Sequence, residues 1–167
     1  AKRCVQSIAD NWPDSVKKIF YPDDIDQQIA MPNSQYMDLN QNQPELQQFI
    51  KRNTNHPLIK ERMAKPLRNE FEYDAVRFSH KVYCMLDAAE NCETDQLIFV
   101  DADTVTYKPI PIEWLDHIAP TDKFSTFLGR PKKGFSETGF ITFNMQKPEA
   151  KKFFARWREY YTKDLWV

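Results

Sequence analysis

Apolar residues along this chain recur at two periods, separated by prolines and polar clusters. Cys4, Val5 and Ile8 share one face of a short helix that stops before Trp12-Pro13. Val16 to Tyr21 reads as a strand halted by Pro22-Asp23-Asp24. The Gln- and Asn-rich stretch from Asp26 to Asn42 predicts a long irregular connection. Pro44 opens a helix carrying Leu46, Phe49 and Ile50, and His56-Pro57 starts a shorter one ending near Pro66. Asp74 caps the next helix, in which Ala75, Val82, Leu86 and Ala89 recur near the helical period, with Phe78 and Tyr83 beside them. Asp74, Arg77, Lys81 and Cys84 form a second stripe on that helix, each three or four positions from the next.

Gln96 to Val100 is too short and too apolar for an amphipathic helix and reads as a buried central strand. Pro109 and Pro111 interrupt regular structure, and Ile112 to Ile118 predicts a short helix. Phe124 to Leu128 and Phe140 to Phe143 are the next strands. From Pro148 a final helix gathers Ala150, Phe153, Phe154, Trp157, Tyr160 and Tyr161 on one apolar face. Those aromatics are better read as core than as a carbohydrate platform, because helical spacing is the mark of a packed face. Helices alternating with short apolar strands predict an α/β fold with a largely parallel sheet, in one domain without repeats or low-complexity linkers.

A net charge of -1 excludes a strongly basic nucleic-acid binder. Cys4, Cys84 and Cys92 form neither a disulfide framework nor a zinc knuckle, so reduced, mostly buried thiols in a cytoplasmic protein are expected. No apolar run approaches the ~20 residues of a transmembrane helix, and no signal peptide opens the chain. The absent initiator Met and the apolar ending Leu165-Trp166-Val167 suggest a fragment of a longer protein.

The candidate chemistry sits at Asp101-Ala102-Asp103, directly after the apolar run Leu97-Ile98-Phe99-Val100. Two carboxylates one residue apart in a turn can face the same crevice, as hard oxygen ligands suited to Mg²⁺ or Mn²⁺. In α/β sheets ligands bind beyond the carboxyl ends of strands, where this triplet falls. A bare D-x-D is more often a solvated acidic turn; the apolar strand before it favours function.

The segments Arg77-Phe78-Ser79-His80-Lys81, Asp95 to Asp103 and Glu137-Thr138-Gly139-Phe140-Ile141-Thr142-Phe143-Asn144 together resemble the GT-A class of nucleotide-diphospho-sugar glycosyltransferases. The resemblance runs from Cys4 to about Tyr161, and its motifs are moderately specific in combination and weak singly. It implies a Rossmann-like, mostly parallel sheet flanked by helices, here lacking its first strand and C-terminal part. It also implies a Mn²⁺ or Mg²⁺ cofactor, a UDP-sugar or similar donor, and a saccharide or other small acceptor. By that resemblance Asp103 binds the cation directly, and Asp101 contacts the metal or the donor ribose. Arg77 and Lys81 correspond to cations facing the diphosphate, and Glu137 and Thr138 to positions near the donor sugar or acceptor. Arg130 is a further basic candidate. A plainer reading makes Arg77 and Lys81 solvated helix charges, and Glu137 a loop anion beside Lys132 and Lys133. His56, His80 and His117 all precede the place where the class carries a third metal ligand.

Two rivals compete. In a haloacid-dehalogenase-type phosphatase Asp101 would be the nucleophile and Asp103 the general acid. That motif normally opens its domain, whereas here a long stretch of chain precedes it, and no acidic pair follows Asp122. An inactive, transferase-like binding module is the other rival, and retention of both aspartates argues against it.

Overall fold

The computed structural model describes residues 2–23, 28–64, 74–129 and 137–165. Arg130, Lys132 and Lys133, the end of the helix near Pro66, and Trp166-Val167 lie outside them. Among the described residues the chain is mixed α/β, with seven helices and two small sheets, grouped into two compact units.

The first unit comprises Ala1–Met37 and Cys92–Lys151. Its helix α1 (Lys2–Asn11) buries Cys4, Ser7 and Ile8, the face set by the spacing of its small and apolar residues. Strands β1 (Lys18–Phe20) and β2 (Ser34–Tyr36) pair in parallel, with Lys18 opposite Ser34 and Phe20 stacked on Tyr36 at 5.1 Å between ring centres. Lys18 is buried, and its ammonium group donates to the carbonyls of Pro13 (2.8 Å), Val16 (3.0 Å) and Pro32 (3.4 Å). Those carbonyls solvate a charge that burial would otherwise make costly. Asn33 takes φ 51°, a left-handed conformation that Asn tolerates, and its side chain donates to the Asp14 carbonyl at 2.8 Å.

Strand β3 (Gln96–Val100), helix α6 (Ile112–Ile118), and strands β4 (Ser125–Leu128) and β5 (Glu137–Asn144) complete this unit. The strand order is β3-β5-β4, and both pairings are antiparallel. Among the described residues parallel pairing is therefore confined to β1 and β2, which differs from the mostly parallel sheet expected. A short apolar run reveals burial but not strand direction. β3 stands at one edge of its sheet and is half-buried along its length, rather than central and fully buried. One core cluster unites α1 with this sheet: Cys4, Ile8, Trp12, Leu115 and Phe140, flanked by Ile98 and Val100 of β3 and by Phe20 and Ile110. Each large apolar side chain so buried contributes about 1.5–3 kcal/mol.

The second unit comprises Asp38–Asn91 and Lys152–Val167. Asp38 caps helix α2 (Leu39–Asn42) by accepting from the Asn40 and Gln41 amides. Helices α3 (Pro44–Asn53) and α4 (Pro57–Met63) follow, each opened by its proline. Asp74 caps α5 (Ala75–Glu90), accepting from Arg77 N at 2.9 Å. The final helix, α7 (Pro148–Thr162), begins in the first unit and runs into the second. Leu46 and Phe49 of α3 and Val82, Tyr83, Met85 and Leu86 of α5 are buried, and Tyr161 packs its ring against Phe49 and Tyr83. Along the apolar face of α7, Ala150 and Phe154 are buried while Phe153 and Tyr160 stay exposed.

A polar network joins α2, α3, α5 and α7 in this unit. The buried Asp87 carboxylate accepts from Gln43 (3.0 Å), Asn42 (3.2 Å) and Asn91 (3.5 Å). Gln43 also donates to Glu90 and accepts from Arg158, and Arg158 pairs with both Glu45 and Glu90. Among the described residues no helix is long and apolar enough to cross a membrane.

Candidate functional site

Strand β3 ends at Val100, and the backbone turns at once through Ala102 and Asp103. Thr104 N donates to the Asp101 carbonyl at 2.9 Å, closing the turn. Asp101 N donates to the Gly139 carbonyl at 2.8 Å, so the ladder between β3 and β5 continues one residue past the end of β3. This bond places the acidic turn beside the start of β5, where Glu137 and Thr138 stand. Asp101 is half-buried, and Ala102, Asp103 and Thr138 are exposed. Four of the residues singled out in the sequence, Asp101, Asp103, Glu137 and Thr138, thus occupy one end of one sheet.

The turn also rests against α1. Cys4, buried in the core cluster, donates its thiol proton to the Asp101 carbonyl at 3.6 Å. Burial pushes the Cys4 thiol up from its usual range, and the negative charges of Asp103 and Asp101 add to that shift. A protonated thiol beside the turn is a weak donor rather than a nucleophile or soft metal ligand.

Arg77 and Lys81 stand one turn apart on α5 in the second unit, Arg77 exposed and Lys81 half-buried. His80 and His117 are exposed, and His56 is half-buried. Cys92 and Cys84 are half-buried and unoxidised.

Asp101 and Asp103 suit a divalent cation by their donor chemistry. Both are hard oxygen donors, and Mg²⁺ or Mn²⁺ commonly takes one or two carboxylates and completes its shell with water and phosphate oxygens. Among the described residues no group of three or more His, Cys, Asp or Glu gathers to hold a metal ion.

Sequence periodicity did not reveal the contacts that hold this turn. Ser7, Asn11 and Trp12 all bond to Thr106, beyond the triplet. The only trace of them in the sequence is Ser7 and Asn11 standing one helical turn apart, on a helix whose other face is apolar. No protein-family model, curated protein or solved structure matches this chain.

Proposed function

We propose that this chain is the nucleotide-sugar-binding part of a metal-dependent glycosyltransferase of the GT-A type. It would transfer a sugar from a nucleotide-diphospho-sugar, a UDP-sugar foremost, to a saccharide or other small acceptor. The observation that carries this reading is the Asp101-Ala102-Asp103 turn at the carboxyl end of β3, bonded to the first residues of β5 through Gly139. Two carboxylates one residue apart there offer hard oxygen donors of the kind that Mg²⁺ and Mn²⁺ take together with phosphate oxygens.

In this reading the Asp103 carboxylate would hold Mn²⁺ or Mg²⁺, and Asp101 would contact the metal or the donor ribose. A bound divalent cation neutralises the charge that accumulates on a departing nucleoside diphosphate. Thr138 is exposed at the start of β5, and the resemblance assigns it and Glu137 to positions near the donor sugar or acceptor. The mixed α/β class of the described residues is consistent with this reading.

The test is a melting-temperature survey with Mn²⁺ and a panel of UDP-, GDP- and CMP-sugars. The reading predicts a rise that requires metal and nucleotide together. No response to any donor, accompanied by hydrolysis of a generic phosphate ester, would replace it with the phosphatase reading.

A further inference from the structure

We propose that Thr106 is a positioning residue for the acidic turn, and that helix α1, by gripping it, sets the conformation of Asp101 to Asp103. What the turn binds rests on the reading above; the grip itself does not. All three polar groups of Thr106 are engaged by α1 or by the residue just after it. Its N–H donates to Ser7 Oγ at 3.0 Å, its carbonyl accepts from Asn11 Nδ2 at 3.1 Å, and its Oγ1 accepts from Trp12 Nε1 at 3.0 Å.

The gripping side chains are themselves fixed. Ser7 Oγ donates to the Cys4 carbonyl at 2.8 Å, Asn11 Nδ2 also reaches the Ser7 carbonyl at 3.0 Å, and Trp12 is part of the core cluster. Further along, Ile110 N donates to the Asn11 carbonyl at 2.8 Å. The stretch from Asp101 to Pro111 has no helix or strand of its own. Its order comes from α1 on one side and Gly139 on the other. Backbone groups that regular structure leaves unpaired need such partners, and here they are concentrated on one threonine three positions beyond Asp103.

A pair of carboxylates binds a cation well when their spacing is set before the cation arrives. Partners that orient ligands from behind typically change metal affinity on the order of tenfold or more. Ser7, Asn11 and Trp12 would act at one remove, by fixing the chain at Thr106, three residues beyond Asp103.

The experiment uses the full chain, with Trp12→Phe and Thr106→Val as disrupting variants and Thr106→Ser as the conservative one. Trp12→Phe loses the Nε1 donor but keeps an aromatic core residue; Thr106→Val loses only the hydroxyl acceptor. Two quantities are read: amide hydrogen exchange at Asp101 and Thr104, and affinity for Mn²⁺ alone from the free-ion paramagnetic signal. The proposal expects exchange at Thr104 to quicken and Mn²⁺ affinity to fall on the order of tenfold in both disrupting variants, with Thr106→Ser close to the parent. Unchanged exchange in folded Thr106→Val would overturn the grip, even if Trp12→Phe failed to fold. Quickened exchange with unchanged Mn²⁺ affinity would overturn its role in positioning the ligands. If the parent and Asp103→Ala were equally indifferent to Mn²⁺, the metal reading would fall, while the exchange data would still decide whether α1 sets the turn.

Discussion

The backbone N–H of Asp101 donates to the carbonyl of Gly139 at 2.8 Å, one residue beyond the last residue of β3. Through this bond the acidic turn shares the rigidity of the β3 and β5 ladder, whose last pair within β3 is Val100 opposite Phe140. The Phe140 side chain is buried in the core cluster and meets the edge of Trp114 at 6.2 Å between ring centres. Phe140→Ala is expected to destabilise the first unit by about 3–5 kcal/mol. Urea denaturation followed by tryptophan fluorescence measures this, and a loss under about 1 kcal/mol would mean the cluster refills the space.

Lys18 holds the link between β1 and β2 by charge rather than by apolar packing. Lys18→Met keeps most of the stem and removes the ammonium group that serves the Pro13, Val16 and Pro32 carbonyls. Leaving those acceptors without their donor is expected to cost about 1–3 kcal/mol, read from the midpoint of chemical denaturation. A variant as stable as the parent would show that water reaches these carbonyls freely.

Asp87 is the buried carboxylate of the second unit, and Asn42 and Gln43 direct their amide donors at it. Asp87→Ala is expected to destabilise that unit by about 2–4 kcal/mol, because a cavity forms and two donors lose their acceptor. Thermal denaturation by circular dichroism provides the check.

Tyr83 gives a pH dependence with a definite sign. Its phenol is fully buried and has no hydrogen-bond partner among the described residues. Burial, and next the negative charge of Glu45, raise its pKa to about 12; Arg158 and Arg52 oppose the shift. The folded value lies above the unfolded one of about 10. The associated stability is therefore intact below pH ~10 and is lost as pH rises toward the folded value, by about 1.4 kcal/mol per unit. Denaturation midpoints between pH 9 and 12 should fall, and Tyr83→Phe should remove much of that slope. Tyr161, also raised by burial, accounts for part of the remainder. Near neutral pH the same substitution removes a buried hydroxyl without a partner, so it should be neutral or mildly stabilising.

Local signals made much of the fold legible. Asp74 marked the start of α5 through its bond to Arg77 N, Pro44 and Pro57 marked α3 and α4, and the apolar run bounded by Asp95 and Asp101 gave β3 to the residue. β2 and α2 escaped notice within the polar stretch before Asn42. β2 is the three residues Ser34-Gln35-Tyr36, ordered by pairing with β1, and α2 is a single turn held by Asp38. Their order comes from partners, not from periodicity. Strand direction escaped for a related reason: a run such as Phe140 to Phe143 packs equally well in either sense. At the candidate site the carboxylates were legible because their chemistry is local. The grip on Thr106 was not, since Trp12 and Thr106 meet across 94 positions of chain.

The most direct test of the account is calorimetric titration of UDP into the chain with Mn²⁺ present, compared with the Asp103→Ala variant. Asp103 is exposed, so the variant should keep the parent's fold and melting temperature within about 1 kcal/mol of stability. The account predicts Mn²⁺-dependent UDP binding by the parent and its loss, tenfold or more (about 1.4 kcal/mol), in Asp103→Ala. UDP binding that survives unchanged in Asp103→Ala would contradict the assignment of Asp103 as the metal ligand.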